Sequence, residues 1–92
     1  MTPELFKFEV SSILKNLERL LVEKNLKYGN SALEPIRIFS KASAEEQLLI
    51  RIDDKLSRLG TQHITEDEDV LDDLLGYLVL LKVSIATSNE FT

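Results

Sequence analysis

The segment from Glu68 to Ile85 constrains this chain more than any other, because it carries more apolar side chains than one helix face can hold. At 100° per residue, Leu71, Leu74, Leu75, Leu78, Leu81 and Ile85 form a wide stripe expected to face the rest of the protomer. The opposite side reads Asp69, Asp73, Gly76, Leu80 and Val83: acidic, then without a side chain, then apolar. A lone protomer is expected to leave Val79, Leu80 and Val83 partly wet. Self-association through this last helix follows as an expectation.

Length points the same way. A single domain of 92 residues, spanning 1–92, buries only about two thirds of the surface of its unfolded chain. No cysteine is present, so disulfides are excluded, and no Cys/His spacing suggests a structural zinc. Oligomerisation is the remaining way to complete a thin core. The start Met1-Thr2-Pro3-Glu4 lacks the basic and apolar regions of a secretory peptide, and no apolar run approaches the roughly 20 residues of a membrane span. A cytoplasmic protein without membrane contact is therefore expected. With 16 acidic against 11 basic residues the formal charge is −5, which repels duplex nucleic acid unless cations gather on one face. A small anionic ligand remains compatible with it, since a few local cations suffice to hold a phosphate.

The periodicities predict an all-α fold of three main helices, a small bundle completed by oligomerisation. The first helix opens at Thr2-Pro3-Glu4, where Thr caps, Pro fits the first turn and Glu complements the dipole. Its core stripe is Ile13, Leu14, Leu17, Leu20 and Leu21, and it is expected to end between Asn25 and Lys27, before Tyr28-Gly29-Asn30-Ser31. Ser43-Ala44-Glu45-Glu46 is a capping box opening a second helix, with the apolar line Leu49, Ile52, Leu56, Leu59 and a stop at Gly60. Thr65-Glu66-Asp67-Glu68 is another capping box, starting a third helix that runs to about Ala86.

Two groups of residues are able to carry chemistry. Asp69 and Asp73, four apart, share a helix face where paired carboxylates suit a hard cation such as Mg²⁺. Asp53, between Leu49 and Leu56, is expected to be partly buried and paired with Lys55 or Arg51. Glu66, Asp67 and Glu68 are accounted for by the helix dipole alone. The run Lys24-Asn25-Leu26-Lys27-Tyr28-Gly29-Asn30-Ser31 gathers donors around a turn: Lys24, Lys27, Asn30 and Ser31 suit phosphate oxygens and Tyr28 suits a stacked base. The same run also reads as a plain helix C-cap. On the second helix, Arg51 and Arg58 belong either to a solvated mixed-charge face with Gln47 and Asp54 or to a phosphate site. Gly76 costs about 1 kcal/mol relative to Ala in a helix, which implies a close helix neighbour, room for a ligand, or both. His63 stands alone in a loop and reads as a surface residue; no nucleophile–base pair and no Gly-rich phosphate loop occur.

The blocks EKNLKYGNSALEPIRI (Glu23 to Ile38), RIDDKLSRLG (Arg51 to Gly60) and EDVLDDLLGYLVLLK (Glu68 to Lys82) resemble the phage-associated nucleotide-modification-associated domain, type 1, over about two thirds of the chain. The resemblance implies a phage or prophage protein acting in nucleotide metabolism or modification. More distantly, Asp73-Leu74-Leu75-Gly76-Tyr77-Leu78 is similar to the last helix of the MazG-type all-α nucleoside-triphosphate pyrophosphohydrolases, which implies dimers or tetramers and Mg²⁺ held by acidic helices. If Asp73 stands for that family's aspartate, Val70 takes the glutamate position and Asp69 lies one residue away, while Asp53 and Asp54 on the second helix stand in place of the ExxE pair, so the resemblance implies Asp53, Asp69 and Asp73 as the candidate Mg²⁺ ligands. Three functions follow as expectations: a nucleotide-binding oligomer that cleaves a triphosphate with Mg²⁺, a non-catalytic sponge that sequesters a nucleotide signal, and a helical interaction module with no small ligand.

Overall fold

The computed structural model describes residues 1–35, 39–61 and 68–90, with the side chains at 61, 68, 69 and 88–90 outside that description. It contains three helices, α1 (Pro3–Tyr28), α2 (Ala44–Thr61) and α3 (Glu68–Glu90), and no strand among the described residues. The all-α expectation holds. No helix among the described residues is long and apolar enough to cross a membrane.

Each described helix start has a local chemical cause. Thr2 Oγ1 accepts from the Leu5 amide at 3.1 Å, with Pro3 supplying a ready-made helical φ. Ser43 Oγ accepts from the Glu46 amide at 3.1 Å, and Gln47 Nε2 donates back to the Ala42 carbonyl at 3.0 Å. The Thr65–Glu68 capping box, with Glu66 and Asp67, and His63 lie outside the described residues or side chains. α1 ends one residue later than its turn signals suggest, at Tyr28, and Gly29 follows with φ 72° and ψ −165°. α2 passes through Gly60 to Thr61, and α3 continues beyond Ala86 to Glu90.

The core is small, and its faces differ from the periodic expectation in two places. On α2 the buried residues are Leu48 and Ile52, with Lys55 and Leu59 completing that face, whereas Leu49 and Leu56 are 45% and 51% exposed. The packed face is thus rotated toward Leu48, and Asp53, expected to be partly buried, is exposed. Lys55 does not pair with it; this lysine reaches α3 instead. On α3 the protomer buries Val70 and Gly76, with Asp73, Tyr77 and Leu80 half-buried beside them, while Leu75, Leu78 and Ile85 of the expected core stripe stay exposed. The mixed face packs inward because Gly76 admits α1 closely and Asp73 finds cationic partners there. The leucine stripe is thus split, with Leu71, Leu74 and Leu81 half-buried and Leu75, Leu78 and Ile85 facing out.

α1 repeats the pattern at larger scale. Phe6, Val10, Ile13, Leu14, Leu17, Leu20 and Leu21 make one apolar stripe, but only Leu17 is buried, Leu20 and Leu21 are half-buried, and Phe6, Ile13 and Leu14 are more than half exposed. At 26 residues α1 is about 39 Å long and outruns its contact with α3. The radius of gyration is 15.3 Å, against about 12 Å for a compact domain of this length. The accessible surface is 7516 Å², against about 5,400 Å² for a compact monomer of this mass.

Candidate functional site

Where the C-terminal half of α1 leans on α3, a pocket of about 240 Å³ opens, walled on one side by Leu17, Leu20 and Leu21. α1 also contributes Lys24, Asn25 and Tyr28 to it, and the turn after α1 contributes Gly29, Asn30, Ser31 and Ala32. α3 supplies Asp72, Asp73, Gly76, Tyr77 and Leu80, and α2 supplies Arg51. An apolar wall with convergent polar groups and two aromatic rings is the usual character of a small-molecule site.

The turn brings its donors there for a backbone reason. A φ of 72° with ψ near −165° is a region open essentially to glycine alone, so Gly29 swings the chain back over the helix end. The next residue fixes the result: the Asn30 carbonyl accepts from Leu33 and Glu34 amides at 3.2 and 2.8 Å, and Asn25 Nδ2 donates to Asn30 Oδ1 at 3.0 Å. Asn30 and Ser31 are thereby set beside Lys24 and Tyr28. Lys27 points its ammonium at the Tyr28 ring, 5.1 Å from the centroid, and does not line the pocket.

Gly76 sets the distance between α1 and α3. A Cβ built on it would lie 3.3 Å from Leu21 Cδ2, so the missing side chain serves close helix approach within the protomer and leaves room in the pocket at once. One turn earlier, Asp73 Oδ2 lies 3.0 Å from Lys55 Nζ and Oδ1 lies 3.7 Å from Lys24 Nζ. This carboxylate therefore joins all three helices. The Arg51 guanidinium sits 5.9 Å from the Tyr77 ring centroid, a cation–π distance that holds α2 to α3 at the pocket edge.

Of the residues singled out in the sequence, Lys24, Tyr28, Asn30, Ser31, Arg51 and Asp73 line this pocket, while Lys27, Arg58 and Asp53 do not. The Asp69 side chain lies outside the described residues. Among the described residues no group of three or more His, Cys, Asp or Glu is arranged to hold a metal. Asp72 and Tyr77 line the pocket as well, and so does Asn25 of the donor-rich run, which was not assigned a phosphate or base contact there. Tyr77 was detectable, since it follows Gly76 directly and lies four residues after Asp73 on the same face. Asn25 was hidden because its role depends on the turn returning Asn30 to it. No family model, no curated protein and no solved structure gives a match to this chain.

Proposed function

We propose that this chain binds a nucleotide-like anion in the pocket between α1 and α3, as a self-associating helical protein of the cytoplasm. One observation carries the reading: Lys24, Tyr28, Asn30, Ser31 and Arg51, spread over two segments of the sequence and chosen for phosphate and base chemistry, line one cavity. Cations and amide or hydroxyl donors meet phosphate oxygens, while Tyr28 and Tyr77 offer ring faces for a base. The resemblance to the nucleotide-modification-associated domain supports the same ligand class and a place in phage nucleotide metabolism or modification.

Binding without cleavage is the better-supported form of this reading. The Asp73 carboxylate, the pocket's strongest candidate for a Mg²⁺ ligand, already faces two ammonium groups, and Asp53 is exposed and away from the cavity. A sponge that sequesters a nucleotide signal uses the cations and rings and needs no metal. Mg²⁺-dependent triphosphate cleavage through Asp69 and Asp73 is the alternative. Incubation with Mg²⁺ and a panel of nucleoside triphosphates and cyclic dinucleotides, then denaturation and recovery of the ligand, separates the two: intact ligand supports sequestration, and released pyrophosphate sinks it.

Self-association is supported by surface. The excess over a compact monomer is about 2,000 Å², whereas a standard interface takes roughly 800 Å² from each partner. The apolar half-stripe of α1 (Phe6, Ile13, Leu14) and the outward leucines of α3 (Leu75, Leu78) are suited to meet copies of themselves.

A further inference from the structure

The two lysines that share Asp73 are not equivalent. Lys55 is 14% exposed and within hydrogen-bond distance of Oδ2; Lys24 is 61% exposed and, at 3.7 Å from Oδ1, beyond it. Charge-assisted N–H···O bonds run about 2.7–2.9 Å, so Lys24 is held by attraction alone, on a flexible four-carbon stem. Lys24 and Asp73 both line the pocket, whereas Lys55 stands behind Asp73 and outside the lining. An anion entering the cavity meets, side by side, a cation free to turn toward it and a carboxylate that repels it.

We propose that Asp73 is an internal competitor of the pocket's anionic ligand: its carboxylate withholds Lys24 from the ligand's phosphate and repels that phosphate, setting affinity below what the surrounding cations alone would give. This rests on the anion-binding reading of the pocket. It reverses the role a metal ligand would have, because a carboxylate that holds Mg²⁺ assists phosphate binding and a competitor opposes it. The sign of one substitution separates the roles. Lys55, fixed on the far oxygen, keeps Asp73 oriented whichever way Lys24 turns.

Calorimetric titration with inorganic pyrophosphate, in chelator and again in Mg²⁺, tests this on the wild type, Asp73→Asn, Lys24→Gln and the double variant. Asp73→Asn is expected to bind about five- to tenfold tighter in chelator at low salt, as expected for removing one unit charge a few ångströms away through a largely aqueous medium. The gain shrinks as salt screens it, and falls in the Lys24→Gln background, where nothing is left to release. Because Asp73→Asn strips Lys55 of its partner, Lys55→Met with Asp73→Asn provides the same comparison in a fold without an unpaired ammonium. Binding by Asp73→Asn that is equal to or weaker than wild type in chelator overturns the competitor role and leaves the anion site standing. A gain undiminished in the Lys24→Gln background overturns the withholding of Lys24, and loss of Mg²⁺-dependent binding in Asp73→Asn makes Asp73 a metal ligand instead. Pyrophosphate binding by none of the proteins overturns both this inference and the reading beneath it.

Discussion

Lys55 Nζ on α2 lies 3.0 Å from Asp73 Oδ2 on α3, and the other oxygen of the same carboxylate faces Lys24 on α1, so one aspartate joins three helices that share little core. The Lys55 stem is largely buried on the α2 face made by Leu48, Ile52 and Leu59. Lys55→Ala is expected to cost about 1–3 kcal/mol, through lost stem packing and a carboxylate left without its close partner. Lys24→Ala, at an exposed contact, is expected to cost less than about 1 kcal/mol. Urea denaturation measures both, and equal costs would show that the two lysines hold Asp73 equally.

Gly29 requires a backbone that other residues avoid, yet among the described residues a Cβ there meets nothing within 4 Å. The cost of Gly29→Ala is therefore purely conformational, about 1–3 kcal/mol. Asn is not expected to rescue it, because ψ near −165° lies outside the left-handed helical region that Asn tolerates. Loss of ligand binding should accompany the stability change, since the turn positions Asn30 and Ser31. Wild-type binding in a folded Gly29→Ala protein would separate the turn from the site.

At Gly76 stability and binding should come apart. Ala gains up to about 1 kcal/mol in helix propensity, and among the described residues the contact it must accommodate is the tip of Leu21, a flexible side chain. Gly76→Ala is expected to leave stability within about 1 kcal/mol of wild type, whereas Gly76→Leu fills the cavity and abolishes ligand binding. Thermal melts and titrations on both variants check this. Strong destabilisation by Ala would mean that α1 and α3 have no slack at their crossing.

The architecture was legible in the sequence because caps and periodicity are local. Thr2, Ser43 and Gly29 act within a few residues of themselves; Thr2 and Ser43 start α1 and α2 where expected, and α1 ends one residue beyond its expected end. The orientation of α3 was not legible. Its leucine stripe is the more apolar face, yet the protomer buries Val70 and Gly76 and half-buries Asp73, because a close helix crossing and a two-lysine partner outweigh a hydropathy count that cannot see either. The pairing of Asp53 failed for a related reason: a rotation of α2 toward Leu48 turned Asp53 outward and sent Lys55 to α3. The pocket was half legible. Its turn donors announced themselves by composition, and Arg51 by charge, but Asn25 and Asp72 became pocket residues only through the fold.

Exposed apolar faces on α1 and α3 predict assembly. Light scattering should give a mass that is a multiple of the protomer's, and Leu78→Asp or Phe6→Glu should lower it without loss of helical content. Leu80 borders the pocket, so Leu80→Asp should impair ligand binding more than assembly. A monomeric wild-type protein at micromolar concentration would contradict the reading of these faces.

Binding of a nucleotide-like anion in the α1–α3 pocket is measured by the thermal shift of wild type, Tyr28→Ala and Arg51→Ala against a panel of mononucleotides and cyclic dinucleotides. Ligand held a hundredfold above its Kd should stabilise the native state by about 2.7 kcal/mol, a shift of several degrees for a domain of this size. The expected result is such a shift for at least one compound in the wild type, strongly reduced in both variants. No shift with any compound, or a shift that survives both substitutions unchanged, would contradict the claim.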